Sequence, residues 1–180
     1  MCIGWLVSEH APSGASRTSP THHGRGDPRA KRGGHTLASQ LIGTWRLVSR
    51  EDRNAAGERR VDPSLGADPV AILVYDDAGN FAAQFMKRDR SSDEVAVSRQ
   101  ATLNNSAAVG GYDAYFGTYT VHEAIGEVRQ VLQGSLSPGD VGKVVTREMK
   151  VDGDTLTIEL ATTSGDDEPV TRTLIWRRSA

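Results

Sequence analysis

From Leu41 onward, apolar and polar positions alternate with a period of two. Leu41, Gly43, Trp45 and Leu47 fall on one face of an extended segment. Tyr115, Gly117, Tyr119 and Val121 share a face later, as do Val128, Gln130, Leu132 and Gly134. Val145, Arg147, Met149 and Val151, then Leu156, Ile158 and Leu160, repeat the pattern. Successive side chains of a strand point to opposite sides, so each set is one face of a half-buried strand. Turn residues interrupt the alternation about every ten residues, the mark of a sandwich or barrel. Strands are expected near 40–50, 69–75, 81–88, 115–122, 128–136, 143–151, 155–162 and 170–178, with a short extra strand near 58–61.

The breaks between strands carry turn chemistry. Asp76-Asp77-Ala78-Gly79-Asn80 and Asp152-Gly153-Asp154 are hairpin signals, because glycine takes positive φ at little cost. Ser137-Pro138-Gly139-Asp140 reads as another turn, and 164–169 is expected to close the penultimate hairpin. Segment 81–88 is ambiguous: Phe81, Ala83 and Phe85 make one apolar face, and Ala82, Gln84, Met86 and Arg88 make the other. Periodicity alone puts the phenylalanines inward. Residues 91–113 do not alternate. Ser92 can cap a helix with Asp93 and Glu94 in its first turn, so a short helix and loop over one barrel end are expected there.

Residues 1–37 show no apolar periodicity and are rich in Ser, Gly, Pro, Arg and His. Burial cannot offset ordering entropy in such a segment. It reads as a disordered extension, or as translated sequence upstream of the true start, and 38–180 as the folded domain. His22-His23 and Arg25-Gly26-Asp27 within it are read as chance in a biased stretch.

Composition narrows the function. The chain of 180 residues carries a net charge of −2. The first 37 residues hold five Lys or Arg against Glu9 and Asp27, which leaves the domain acidic and argues against nucleic acid as a partner. Cys2 is the single cysteine and precedes the domain, so the fold does not use an internal disulfide. The opening apolar run is too short for a secretion signal, and no stretch approaches the ~20 apolar residues of a membrane helix. A cytoplasmic, membrane-free protein, monomer or homodimer, is the expectation.

Four of the five histidines precede the domain. His122 alone lies within it, on the outward parity, which removes multi-histidine metal sites, a Ser-His-Asp triad and haem ligation from consideration. No nucleophile elbow, Walker loop or dinucleotide fingerprint is present. No cofactor or metal is expected. Two polar residues stand out on otherwise apolar faces, Arg147 and Gln130. A buried arginine needs a partner: either an internal ion pair or a rim position, or a ligand group that it orients. Tyr115 and Tyr119 add hydroxyls to the same surface, as core fillers or as ligand contacts.

Leu41-Ile42-Gly43-Thr44-Trp45-Arg46-Leu47-Val48-Ser49 resembles the opening strand of lipocalin-like proteins, where Gly-x-Trp begins the barrel. Leu174-Ile175-Trp176-Arg177 resembles their last strand, whose Arg lies across that Trp. Asp68-Pro69-Val70, Leu73-Val74-Tyr75, Gln84-Phe85-Met86, Arg88, Tyr112, Tyr115-Phe116-Gly117-Thr118-Tyr119, Gly134-Ser135, Pro138, Gly142 and Arg147 are similar to a bacterial and fungal lipocalin-like domain family over about 40–178. The resemblance implies a closed, up-and-down antiparallel barrel of about 8–10 strands around one small ligand. It also implies that Gln84, Met86 and Arg88 face the lumen, against the periodicity, and that Tyr75 joins Tyr115, Tyr119, Gln130 and Arg147 around it. The family usually carries His where this chain has Gln130.

Besides a mainly structural or protein-interaction barrel with a filled core, two functions follow as expectations. One is binding of a small, largely apolar molecule whose polar end an internal Arg orients. The other is a cofactor-free cyclase or isomerase acting on a polyketide- or terpenoid-like intermediate, with Tyr119, Tyr115 and Arg147 as catalytic groups.

Overall fold

The computed structural model describes residues 36–90, 106–164 and 167–180. The segment read as a disordered extension, up to residue 35, and the expected helix cap at Ser92 lie outside the described residues. Nine strands are present among the described residues: β1 Gly43–Asn54, β2 Arg59–Arg60, β3 Val70–Tyr75, β4 Asn80–Met86, β5 Tyr112–His122, β6 Glu127–Ser135, β7 Val144–Asp152, β8 Thr155–Thr163 and β9 Pro169–Arg178. One sheet holds them in the order β2-β1-β3-β4-β5-β6-β7-β8-β9, and β1 also pairs with β9. Eight strands therefore close into an antiparallel barrel, with β2 as a short flap on β1.

Local chemistry accounts for the elements. In the β3–β4 hairpin, Gly79 takes φ +85°, and the Asp76 carboxylate accepts the Asn80 backbone N–H at 2.7 Å, an Asx-type turn. Gly153 takes φ +57° between β7 and β8. Ser137-Pro138-Gly139-Asp140 tightens into a single 3-10 turn over Pro138–Asp140. Val109 forms an isolated bridge with Tyr112, and β5 begins at Tyr112. The expected helix-and-loop region thus ends in strand, which begins three residues earlier than the alternation of 115–122 indicates.

A short helix, α1 (Leu37–Leu41), precedes β1 and was not foreseen. The Thr36 side chain caps it, and the distant Glu123 carboxylate accepts the N–H groups of Leu37 and Ala38 at 2.7 and 2.9 Å, which suits a helix N-terminus. Leu41 is buried, and its carbonyl accepts the Trp45 indole N–H at 2.8 Å. Trp45 and α1 close this lower end of the barrel.

The stacked arginine is Arg178, not Arg177. Its guanidinium carbon lies 4.1 Å from the centre of the Trp45 ring, and it donates to the carbonyls of Ile42 and Gln40 at 2.7 Å each. Arg177 is exposed. The reason is parity: Trp176 points inward, so Arg178 shares its face and Arg177 points out. A second correction concerns β4. Phe81, Ala83 and Phe85 are buried, and Phe85 meets Trp176 across the interior at 5.6 Å between rings. Gln84 and Arg88 are exposed and Met86 is half-buried, all on the outer parity. The period-two pattern was right here, and the resemblance misplaced the strand's face.

Candidate functional site

The inner faces of the strands build an apolar wall: Leu73, Phe81, Ala83, Val128, Leu132, Val145, Met149, Leu156, Ile158, Leu160, Leu174 and Trp176 are all buried in one cluster. Within it stand four polar side chains that the sequence singled out. Tyr75 is buried on β3, and its hydroxyl accepts the Gln130 amide N–H at 2.8 Å and faces the Met149 sulfur at 3.6 Å. Burial pushes the Tyr75 phenol well above its ordinary range, so it stays a neutral donor. Arg147, on β7, is buried, and burial pulls its pKa down. It donates to the Thr146 carbonyl at 2.9 Å, and the nearby Tyr115 and Tyr75 phenols act on it electrostatically. Burial raises the Tyr115 phenol, with the nearby Asp113 carboxylate adding to the shift.

Tyr115 is half-buried on the inner face of β5. Tyr119 contributes differently. Its ring meets that of Tyr75 edge-on at 4.8 Å, but its hydroxyl donates to the Asp76 carbonyl at 2.9 Å, toward the β3–β4 turn. The structure thus brings Tyr75, Gln130, Tyr115 and Arg147 together, turns the Tyr119 hydroxyl toward the turn, and leaves Gln84, Met86 and Arg88 outside. Arg88 pairs with Asp68 at 2.9 Å instead.

Ser106, close to Tyr115, donates to Asp113 Oδ2. Asp113 is buried, and its Oδ1 has no hydrogen-bond partner among the described residues. Burial, with Asp140 nearby, pushes the Asp113 carboxyl up to about 6. Asp140 anchors the same region by accepting the Ala107 N–H at 2.8 Å and the Lys143 ammonium at 2.9 Å.

Toward the upper end, Arg50 and Asp52 of β1, Asp62 and Arg172 of β9 form a buried quartet. Arg172 binds Asp52 at both carboxylate oxygens, at 2.8 and 2.7 Å, and Arg50 reaches Asp62 at 2.7 Å. Burial alone would raise both carboxyls, but the two guanidiniums, with Ser64 on Asp62, hold them below the usual range. Two positive and two negative groups leave the quartet neutral. It is a structural plug, with its charges matched.

The sequence reading missed Asp113, Ser106 and the quartet. Asp113 lies two residues before Tyr115 on the same face, so extending that alternation would have found it. Among the described residues no group of His, Cys, Asp or Glu is arranged to hold a metal ion, and no helix is long and apolar enough to cross a membrane. No curated protein matches the chain. The closed eight-strand barrel, begun by Gly43 and Trp45 and sealed by Arg178, agrees with a family model that spans residues 42–179: this chain belongs to the family of lipocalin-like domains.

Proposed function

We propose that the barrel holds one small, largely apolar molecule in its interior, with Arg147 and Tyr115 at the molecule's polar end. The observation that carries this reading is the convergence of Arg147, Tyr115, Tyr75 and Gln130 inside a wall that is otherwise apolar. Apolar walls drive transfer out of water at about 25 cal/mol per Å², and a few fixed polar groups set orientation. The guanidinium suits a carbonyl, carboxylate or phenolate oxygen. Anilinonaphthalene sulfonate, an apolar fluorophore with an anionic head, tests the reading: it should bind at one molecule per chain. Arg147→Met keeps the volume and removes the charge, and should weaken binding by about ten- to a hundredfold, the value of one charge-assisted hydrogen bond. Unchanged affinity would take Arg147 out of the site.

A second reading is cofactor-free proton chemistry, a cyclase or isomerase. The grouping of Asp113 and Ser106 beside Tyr115 and Arg147 favours it, because a buried carboxyl near 6 is poised to hold or release a proton near neutral pH. In this reading Tyr115 exchanges a proton with the substrate and Arg147 stabilises an enolate-like oxygen. Tyr115→Phe should then abolish turnover of a polyketide-like substrate while retaining fluorophore binding. Full turnover by that variant would exclude Tyr115 as the proton carrier.

A further inference from the structure

The barrel wall is interrupted in one place. β1 pairs with β3 only from Gly43 to Arg46, opposite Tyr75 to Ile72. Beyond that point β1 carries a bulge between Leu47 and Ser49 and runs on with β9 and β2. The next inward positions of the two strands, Leu47 and Ala71, both keep accessible surface, whereas Trp45 and Leu73 just below are 0 % and 3 % exposed. A cleft of about 290 Å³ lies at this gap. Its lining includes Leu47, Ala71 and Phe85, which have inward parity, together with Arg46, Gln84 and Met86, which have outward parity. The cleft thus lies where β1 parts from β3, and it meets residues of both parities.

We propose that the ligand reaches the lumen sideways, through the gap between β1 and β3. The proposal rests on the lumen-binding reading above. Trp45, Leu41 and Arg178 obstruct the lower end, while the Arg50–Asp52–Asp62–Arg172 quartet and the buried Leu65 fill the upper interior beside β1 and β9. At about 290 Å³ the cleft lies just under the range of pockets that enclose a whole drug-sized ligand, which suits a passage. Met86 at its outer lip is unbranched and adaptable, so the mouth can yield. Arg46 lines the mouth. Tyr112 at its rim donates to Gln84 at 2.8 Å and carries the Arg90 guanidinium 5.5 Å from its ring centre. Apolar walls with a basic rim select a slender apolar molecule with an anionic head, the same polarity that Arg147 receives inside.

Stopped-flow binding of anilinonaphthalene sulfonate tests the passage. Ala71→Trp narrows it from the inner side and Met86→Trp from the outer lip, where folding is least at risk. A plugged passage slows association and dissociation together, each by about tenfold, and leaves Kd within about threefold of the parent, unlike a lost contact, which acts mainly on dissociation. Ile125→Trp, an exposed position near the β5–β6 turn, should change neither rate. Rates untouched by both plugging variants, with saturable binding intact, overturn the side entrance alone. Absence of saturable binding to the parent protein overturns the lumen reading and the entrance with it.

Discussion

Asp113 is held against its own chemistry. Its carboxyl ordinarily releases its proton at 3.8 but keeps it to about 6 here, because burial and the neighbouring Asp140 oppose the charge. Between those values the folded chain holds a proton that the unfolded chain has released. Rising pH therefore removes stability from about pH 4 to about pH 6, after which the loss is constant at roughly 3 kcal/mol. Asp113→Asn cannot charge, so it should be more stable than the parent by about 2–3 kcal/mol at pH 7, with the gain gone near pH 4. Denaturant titrations of both proteins across that range check this, and parallel pH profiles would mean that the carboxyl is ionised and partnered. Asp113 was within reach of the sequence, two residues before Tyr115. It was missed because 91–113 lacks alternation and was read as helix and loop. Arg50 and Asp52 were harder to see: the bulge after Leu47 switches which parity faces inward, so counting from Trp45 puts both outside.

At the level of elements, two glycines test how closely β5 and β6 approach. A Cβ on Gly117 would lie 1.9 Å from the Val131 carbonyl oxygen, and one on Gly134 would lie 2.3 Å from the Phe116 ring. The first obstacle is backbone in the middle of a ladder. The second is a side chain that is 56 % exposed and can swing into solvent. Gly117→Ala should therefore cost more than about 3 kcal/mol, and Gly134→Ala about 1 kcal/mol or less. Thermal unfolding ranks the two, and equal losses would contradict the close β5–β6 contact at the Phe116/Gly117 bulge. Strand positions were the most legible feature, because each strand buries one face and exposes the other. α1 was not legible: five residues carry no helical periodicity, and the helix depends on Glu123, 86 positions from Leu37.

At the scale of the whole barrel, closure depends on its first and last long strands meeting. β1 and β9 pair from Trp45–Arg178 to Asn54–Val170, and Arg178 adds its stacking on Trp45 and its two carbonyl bonds. Arg178→Ala should cost about 2–3 kcal/mol, whereas exposed Arg177→Ala should stay within about 0.5 kcal/mol. Chemical denaturation distinguishes them, and the reverse order would restore Arg177 to the position that the family resemblance gave it.

The same closure governs how the protein comes into being. Asp52 is synthesised 120 residues before Arg172, which grips it, so the first strand must emerge from the ribosome and wait for the last. Until β9 arrives, β1 and β8 each present a bare edge to other nascent chains. Translation that stalls before residue 170 would leave a polypeptide able to form most of its hairpins but not its ring, and therefore prone to join its neighbours.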